Sequence, residues 1–390
     1  MDFRFSEEEE AFRAEVRAFI AENMTDTIRS HWLGGLLDTQ ERRDFVTKMA
    51  DRGWLSMGFP AEYGGTRQTV PLAQYIMNQE LHRAEAPIVG KNLGVIVNTI
   101  LRHGNDRIKQ EFVPRIFRNE IQWAIAYTEP EAGSDLANMQ CSAVLDGDEY
   151  VVNGTKRFIT SAHFGDYLWT GVRTDRDAKP KHKGISLMII DRELPGITVT
   201  PLWTIIGERT NDVFFDNVRV PKDYLVGEEN KGWYYISEAL TYERFAMTSI
   251  IPTVRKLDRL IEYVKTTEVD GEPLANDPVV RRMVARMAML VEMGKMLDLR
   301  CLCMAIQPDY VPNNEAAMNK MWGGIVETIL SDETLDVLGP TGFLWKDDDA
   351  PMRGEVADDY LWAGHQRVAA AGVDISRNII AKRMLGLPSA

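Results

Sequence analysis

The spacing of apolar residues changes character twice along this chain, and that double change constrains the fold more than any other feature. Over residues 1–122 apolar side chains recur every three to four positions, the period of an amphipathic helix. Over residues 123–232 they fall in short β-prone runs separated by glycine, proline and charged residues. Helical spacing returns over residues 233–390. The sequence therefore predicts an α+β multidomain protein with these bounds: an N-terminal α-helical domain, a middle antiparallel domain similar to a β-barrel or sandwich, and a C-terminal helical domain.

Several local signals mark the helix boundaries. A capping-box pattern, Ser6 followed by Glu9, opens the first predicted helix. Gly53 ends the helix predicted in DFVTKMADRGW, and Pro71 stands near the first turn of the helix predicted in PLAQYIMNQELHRAE. Pro252 should kink or interrupt the helix that begins the C-terminal part. A long methionine-rich helix is predicted further on, in DPVVRRMVARMAMLVEMGKMLDLRCLCMA.

The middle segment carries the strand and turn signals. Asn153 and Gly154 stand between two β-prone runs in EYVVNGTKRFIT, and this dipeptide is the strongest short-range signal for a hairpin turn. Four further strands are predicted in YLWTGVRT, GISLMIID, GITVTPLW and NDVFFDNVRV.

Composition narrows the class of protein. The net charge of −13 disfavours nucleic acid or an anionic membrane surface as the main partner, because phosphates need a cationic face. The acidic N-terminus is unlike a signal peptide, and no apolar run reaches the roughly 18 residues of a membrane span. Three cysteines without a CxxC pair are interpreted as buried thiols of a cytoplasmic protein. The motifs GxGxxG and HExxH are absent, which disfavours a nicotinamide fold and a zinc peptidase; no metal is predicted.

One acidic residue falls where an apolar one would be expected. Glu243 lies three residues after Leu240 and four before Met247, within the apolar stripe of a predicted helix. A carboxylate on such a face is poorly solvated and suited to accept a proton near neutral pH. The alternative is a structural glutamate that pairs with Arg244 or bends out to solvent.

Two further stretches have the composition of a binding site for a flat polar ligand. In YTEPEAGSD, residues 127–135, small residues let main-chain amides approach a ligand, and Thr128 and Ser134 add hydroxyl groups. In KRFITSAH, residues 156–163, Phe158 and Thr160 share one face of a strand, so that a stacking surface lies beside a hydrogen-bond donor. The alternatives are a plain polar loop and an ordinary core phenylalanine.

Taken together with three other stretches, these motifs resemble the acyl-CoA dehydrogenase family. The similar segments follow the family's order along nearly the whole chain and are GWLSMGFPAEYGG, YTEPEAGSD, NGTKRFITS, NDVFFDNVRVPKDYLVGEENKGW and RNIIAKRMLGLP. The resemblance implies a C-terminal four-helix bundle, an FAD cofactor between this bundle and the β domain, and an acyl-CoA substrate. It also implies an oxidoreductase of lipid metabolism that converts an acyl-CoA to a trans-2-enoyl-CoA, as in β-oxidation.

The resemblance assigns roles to individual positions. Tyr127, through its backbone, and Thr128 would hydrogen-bond the flavin ring, Phe158 would stack on the face opposite the substrate, and Thr160 would lie near N5. The remaining cofactor positions implied by the resemblance are Gly133 and Ser134 at the pyrophosphate and Gly339 and Gly342 in the adenine-side loop. Ser134, Arg244 and Ala370 would line the substrate site.

The family places its catalytic base at one of two positions. One lies before the last helix, in a loop similar to EGTxxIQR, where this chain has AAAGVDISR and therefore Ala370 in place of glutamate. A methyl group accepts no proton, although the N–H of Ala370 could help to hold the thioester oxygen. The other position is an ER dipeptide on the first helix of the bundle, which here is Glu243-Arg244. The resemblance thus makes Glu243 the base that takes the α-proton.

Two departures from the family bear on the assembly. An Arg-xx-Phe-Gly stretch that contacts the neighbouring FAD in many relatives is replaced here, with Thr267 at the Arg position and Asp270 at the Phe position. Asp336 replaces glutamine before the adenine-side loop, and an acid near a diphosphate is unfavourable. These losses favour an α2β2-type heteromer whose sister subunit supplies the missing contacts, similar to the heteromeric branch of the family that acts on steroid side-chain or dicarboxylyl-CoAs. The alternative is a homodimer or homotetramer with rearranged FAD contacts.

The resemblance also implies an electron acceptor, such as an electron-transfer flavoprotein. Oxygen access to a reduced flavin cannot be read from the residues, so an acyl-CoA oxidase on the same scaffold stays as an alternative. A non-catalytic family member is a second alternative, which the retained Glu243 disfavours.

Overall fold

The computed structural model describes residues 4–30, 37–66, 70, 72–89, 91–247, 250–305, 310, 312–345, 349–369 and 372–388. The chain forms two compact units, residues 2–246 and residues 247–390. The predicted domain bounds at 122 and 232 stay predictions.

Helices form the N-terminal part of the first unit. Ser6 and Glu9 make the predicted capping box: the Glu9 N–H donates to Ser6 Oγ at 3.2 Å and the Ser6 N–H to Glu9 Oε2 at 2.7 Å. Gly53 follows the third helix with φ of 74°, as a helix stop requires. The helices are α1 Glu7–Asn23, α2 Asp26–Ser30, α3 Gln40–Asp51, α4 Ala73–Ala84, α5 Asn98–His103 and α6 Asp106–Phe117, with a π-helical stretch Lys91–Val97 before α5. Pro71, which was predicted near the start of α4, lies outside the described residues.

A seven-stranded curled sheet follows, and all four further predicted strands are present in it. The strands are β1 Trp123–Ala126, β2 Ser142–Asp146, β3 Glu149–Lys156, β4 Tyr167–Arg173, β5 Ile185–Asp191, β6 Ile197–Trp203 and β7 Arg209–Pro221. Their order is β1-β4-β2-β3-β7-β6, with β5 on the other side of β4. Most pairs are antiparallel, whereas β4 runs parallel to β1 and to the start of β2. One face of the sheet shares a core with the N-terminal helices, including Trp123 and Trp169, and the other face has an apolar core of its own.

The hairpin prediction at Asn153-Gly154 is wrong. Strand β3 continues through both residues, and its register with β7 shifts between Val152 and Gly154, which makes a bulge rather than a turn. A side chain at Gly154 would place its Cβ 2.7 Å from the Cα of Cys141, so glycine is needed for close approach of two strands. The hairpin between β2 and β3 turns instead at Gly147, whose φ is 66°.

The last helix of the first unit is α7, Gly232–Met247, and the second unit is mainly helical. Pro252 lies in the first turn of α8, so the predicted interruption before it is confirmed. The remaining elements are α8 Ile251–Thr266, the two-stranded β8 Glu268–Val269 and β9 Glu272–Pro273, α9 Pro278–Ala305, α10 Asn313–Leu338, α11 Glu355–Val368 and α12 Val373–Ile379. Helices α8 to α11 share one apolar core. None of the helices in the described ranges combines the length and apolar content that crossing a membrane requires.

Candidate functional site

The loop after β1 presents small, polar residues to open space. Glu129 and Ala132 exchange two backbone hydrogen bonds, each 3.1 Å from N to O, which closes a tight turn. Gly133 and Ser134 follow this turn and are exposed. A Cβ at Gly133 would meet no atom within 4 Å. A ligand therefore has free access to the main chain at this end of the loop.

Phe158 and Thr160 lie in the turn after β3, which ends at Lys156, so the prediction that they share one face of a strand is wrong. Phe158 is 56% exposed, and its φ of 59° lies in the left-handed region that a bulky residue rarely adopts. Ser161 also has a positive φ, 72°. Asn211 on β7 braces the stretch between them: its main-chain O accepts the Ile159 N–H at 2.8 Å, and its Nδ2 donates to Ile159 O at 2.9 Å. Strain of this kind persists only where neighbours hold it, and it concentrates at ligand-binding segments.

The loop and the turn are fastened to each other. The Arg157 N–H donates to the Thr128 carbonyl at 2.9 Å, and Lys156 Nζ donates to the Tyr127 carbonyl at 3.1 Å. Lys156 has no exposed surface and also pairs with Glu129, 2.8 Å from Nζ to Oε1. The two predicted stretches are thus brought together. Sequence reasoning missed the buried pair, for which the only signal was a charge at the end of a β-prone run.

The donor set and the aromatic ring fit a flavin. No hydrogen bond within the described chain engages the hydroxyl groups of Thr128, Ser134 and Thr160, which are exposed or half-buried. Phe158 offers a ring that is 56% exposed in the adjacent turn, with the Arg157 guanidinium 5.9 Å from its centroid. Free hydroxyls beside an exposed aromatic face suit a flat ring with polar edges. Tyr127 differs, because its side chain is buried and its hydroxyl accepts Trp169 Nε1 at 2.8 Å, so a ligand could use only its backbone.

The charges around the turn are compensated. Arg157 and Asp212 form a bidentate pair with both N–O distances at 3.0 Å, and hydrogen bonding to Asp212 raises the pKa of Arg157 above its ordinary value.

Burial raises the pKa of the neighbouring Cys141 thiol to about 11. That thiol is therefore protonated at neutral pH and unsuited to act as a nucleophile, as predicted for a buried cysteine.

The predicted base lies on α7, whose N-terminal half is well anchored. Ile236 and Ala239 are buried on this helix. Glu238 accepts hydrogen bonds from Arg102 and from His103 Nε2, the latter at 2.9 Å, and so ties α7 to α5. Sequence reasoning missed this contact. The backbone of Glu243 and Arg244 is helical, while their side chains and all of Ala370 lie outside the described residues.

The predicted adenine-side residues belong to the second unit. Gly339 ends α10 with φ of 60°, and a Cβ there would meet nothing within 4 Å. Gly342 is buried against Leu335 and Leu338, so packing alone explains its small size. Asp336 is exposed on α10.

The stretch that departs from the family's Arg-xx-Phe-Gly pattern forms a short hairpin. Asp270 and Gly271 make its turn between β8 and β9, with φ of 54° and 84°. The N–H of Thr267 donates to the carbonyl of Tyr263 at 2.9 Å and closes α8.

The chain is similar to known proteins over nearly its whole length. Residues 6–120, 124–218 and 230–385 match the N-terminal, middle and C-terminal domains of acyl-CoA dehydrogenases. The acyl-CoA dehydrogenase FadE26 of Mycobacterium tuberculosis is 32% identical, with 100% of both chains covered. The ChsE4-ChsE5 complex from the same organism contains a chain with a TM-score of 0.90, 31% identity and 100% of both chains covered. The Tcur3481-Tcur3483 steroid ACAD gives a TM-score of 0.90, 29% identity and the same coverage.

These matches define the class as flavin-dependent oxidoreductases with a helical N-terminal domain, a curled β-sheet and a helical C-terminal domain. The chain belongs to the acyl-CoA dehydrogenase family. The predicted family, fold class and type of enzyme are confirmed.

Proposed function

We propose that this chain catalyses the FAD-dependent α,β-dehydrogenation of an acyl-CoA thioester to a trans-2-enoyl-CoA. The observation that carries the proposal is the exposed ring of Phe158 beside a loop of unengaged donors, held together by backbone hydrogen bonds. Thr128, Thr160 and the backbone of Tyr127 would hold the flavin ring, and Phe158 would stack on it. The pyrophosphate and adenine contacts would fall to Gly133, Ser134, Gly339 and Gly342.

Glu243 would act as the general base of the reaction. When bound, FAD supplies the acceptor that takes the β-hydrogen of the substrate as hydride. The chain's own part is to remove the α-proton, and position 243 follows the buried Ala239 by one helical turn and Ile236 by two. A base on that face would be shielded from water, which strengthens its interaction with the α-proton. Ser134, Arg244 and the N–H of Ala370 would line the substrate, the last donating to the thioester oxygen as negative charge develops there.

A steroid side-chain acyl-CoA is the substrate class that the relatives favour. One similar structure is described as a steroid ACAD, and the chain covers 100% of it. A broad, rigid acyl group needs a pocket set by the helices around it. The contact of Glu238 with Arg102 and His103 holds α7 to α5, and these two helices would border that pocket. We assign this substrate class to the present chain on that basis.

An α2β2-type heteromer is the assembly that accounts for the departures in the second unit. The ChsE4-ChsE5 and Tcur3481-Tcur3483 structures each contain two different chains. Many family members contact FAD through an arginine, a phenylalanine and a glutamine. This chain has Thr267 in place of the arginine, Asp270 in place of the phenylalanine and Asp336 in place of the glutamine. A sister subunit would supply those contacts, and an electron-transfer flavoprotein or a similar acceptor would reoxidise the flavin.

The test of the reaction compares the wild type with Glu243→Gln, each purified with its sister subunit and mixed anaerobically with acyl-CoAs. Steroid side-chain, branched, long-chain and short-chain thioesters are compared by loss of the long-wavelength flavin absorbance. The Gln variant should bind substrate but lose about 10²–10⁴ in rate, the usual effect of removing a general base. The matched control is Glu262→Gln, an exposed glutamate on α8, which should react as the wild type does. Wild-type rates in the Glu243 variant would exclude this residue as the base.

The test of the assembly is the oligomeric state and the FAD content of the chain expressed alone and with its sister subunit. Low FAD occupancy alone and full occupancy in the complex are expected. A stable homo-oligomer with one FAD per chain would refute the heteromer. Aerobic turnover that releases hydrogen peroxide in proportion to product would instead indicate an acyl-CoA oxidase.

A further inference from the structure

The most deeply buried lysine of the first unit lies at the junction of the two proposed flavin segments. Lys156 is 0% exposed and Glu129 is 6% exposed. Burying a lysine and a glutamate is unfavourable unless the two charges are paired and their remaining hydrogen-bonding capacity is used. A buried pair therefore persists where its position has a purpose that an apolar pair would not serve.

Here the pair is bonded chiefly to main chain. Lys156 Nζ donates to the Tyr127 carbonyl at 3.1 Å as well as to Glu129. The Glu129 carboxylate accepts the Cys141 N–H at 2.9 Å on Oε1 and the Gln140 N–H on Oε2. Two charged side chains thus connect the loop after β1, the start of β2 and the end of β3.

These connections meet close to the residues proposed to contact FAD. Tyr127 and Thr128 are the last residues before Glu129, and Phe158 is the second residue after Lys156. The N–H of Arg157, between Lys156 and Phe158, donates to Thr128 O at 2.9 Å. A shift of the Lys156 ammonium would therefore move the ring-stacking residue and the hydroxyl donors relative to each other.

We propose that Lys156 and Glu129 are positioning residues for the flavin, which set the distance between the stacking turn and the donor loop. This inference rests on the proposed binding of FAD to these segments and adds to it the residues that hold them in place. The pair acts through the main chain and does not itself touch the cofactor. Its loss should loosen FAD in a protein that is still folded.

The experiment compares Lys156→Met with Arg13→Met in the purified complex. Arg13 is a matched control because it also pairs with a buried acid, Glu80, at 2.7 Å, but joins α1 to α4, which carry none of the proposed flavin residues. FAD dissociation should be at least about tenfold faster in Lys156→Met, as expected from losing a charged hydrogen bond, and the flavin absorbance band should lose its fine structure. Arg13→Met should keep the wild-type rate within about twofold and the wild-type spectrum. Equal effects of both variants, or no effect of Lys156→Met, would overturn the proposal.

A second measurement does not depend on FAD. In the apo-protein, amide hydrogen exchange at Cys141 and Arg157 should speed up in Lys156→Met and not in Arg13→Met. Unchanged exchange at both amides would refute the positioning role even if the proposed reaction held. A failure of the wild type to bind FAD would refute the proposed function and, with it, this inference. If Lys156→Met does not fold, Glu129→Gln, which keeps the shape and removes the charge, is measured in its place with the same expected direction.

Discussion

Each unit of the chain buries a lysine paired with a glutamate, and the two clusters are built differently. In the sheet, Lys156 and Glu129 bind main-chain groups of two segments, the loop after β1 and the start of β2. In the helical unit, Lys256 is bonded to side chains, those of Glu327 and Asp359, and joins α8 to α10 and α11. Burial opposes the charge on Lys256, but Asp359 and Glu327 raise its pKa above the ordinary value.

The difference follows from the two kinds of structure. Helices satisfy their own main chain internally, so helix neighbours can be selected only through side chains. Loops at the ends of strands leave main-chain groups unpaired, and a buried charge can bind those groups and hold the loop's path. The helical cluster therefore contributes stability to one packing arrangement, whereas the sheet cluster determines the shape of a binding surface.

The largest expected effect is on the helical cluster. Lys256→Met would leave Asp359 paired with Arg259 and Glu327 bonded to the Thr253 hydroxyl, both acids still buried, and should lower the free energy of unfolding by about 3–5 kcal/mol. Denaturant titration measures this. Lys295→Met is the control, because its partner Glu292 is 62% exposed and the loss of their pair should matter by less than about 1 kcal/mol. A small effect of Lys256→Met would mean that the helices pack without the cluster.

A second test compares two glycine-to-alanine variants, one in which the new Cβ meets main-chain atoms and one in which it meets side chains. Gly154→Ala would place Cβ 2.7 Å from the main chain of Cys141, with φ of 146°, and should destabilise the protein by about 2–3 kcal/mol. Gly294→Ala on α9 meets side chains only: Cδ1 and Cγ1 of the buried Ile250 at 2.7 Å and 2.8 Å, and Cδ1 of Trp322 at 3.4 Å. That variant should cost less than Gly154→Ala, because side chains can shift more easily than main chain and alanine favours a helix over glycine by about 1 kcal/mol. Thermal unfolding measures both variants. A larger loss of stability in Gly294→Ala than in Gly154→Ala would contradict this expectation.

Burial raises the pKa values of two acids, one in each unit, and the stability of the protein should therefore depend on pH. Burial raises the pKa of Glu208, before β7, to about 7, and that of Asp298, on α9, to about 6, the latter against hydrogen bonds from Ile250 and Asn319 that lower it. Between pH 4.5 and about 7 folded Glu208 keeps a proton that the unfolded chain releases, so the free energy of unfolding falls as pH rises.

Glu208→Gln removes this titration. Its stability relative to the wild type should therefore increase by about 1–3 kcal/mol between pH 5 and pH 8. Urea titrations at several pH values measure the difference. The exposed Glu262→Gln should show no such trend, and a flat difference for Glu208→Gln would show that the buried carboxyl does not keep its proton.

The smallest expected effect on stability concerns the stacking turn. Phe158→Asn replaces an exposed, left-handed phenylalanine with a residue that tolerates this backbone conformation. The apo-protein should be unchanged or more stable by up to about 1 kcal/mol, while FAD binds more weakly because the ring is lost. Denaturant unfolding of the apo-protein measures the change in stability, and FAD titration measures the loss of affinity. Loss of stability without loss of FAD affinity would show that Phe158 is a packing residue.

For the proposed flavin site, local sequence pattern predicted the binding stretches but not the buried residues that connect them. Hydroxyl groups and glycines in YTEPEAGSD and an aromatic in KRFITSAH pointed to two binding stretches, and the structure brings these together. The burial of Lys156 and its pairing with Glu129 were not predictable, because the sequence neighbours of Lys156 are typical of a strand and Glu129 is far away along the chain. The position of Glu243 on a helix was predictable from periodicity, and its role remains a proposal.

The sequence by itself determined helices α1, α3, α4 and α9, four of the strands, the cap at Ser6 and the break at Pro252, because each depends on residues within a few positions of one another. Only the tertiary structure decided that Asn153-Gly154 is a bulge, since the reason is the approach of Cys141 from another strand. It likewise decided that Lys156 is buried and that Phe158 is exposed and strained. Burial, charge pairing and backbone strain depend on which distant segments meet, and no local pattern contains that information.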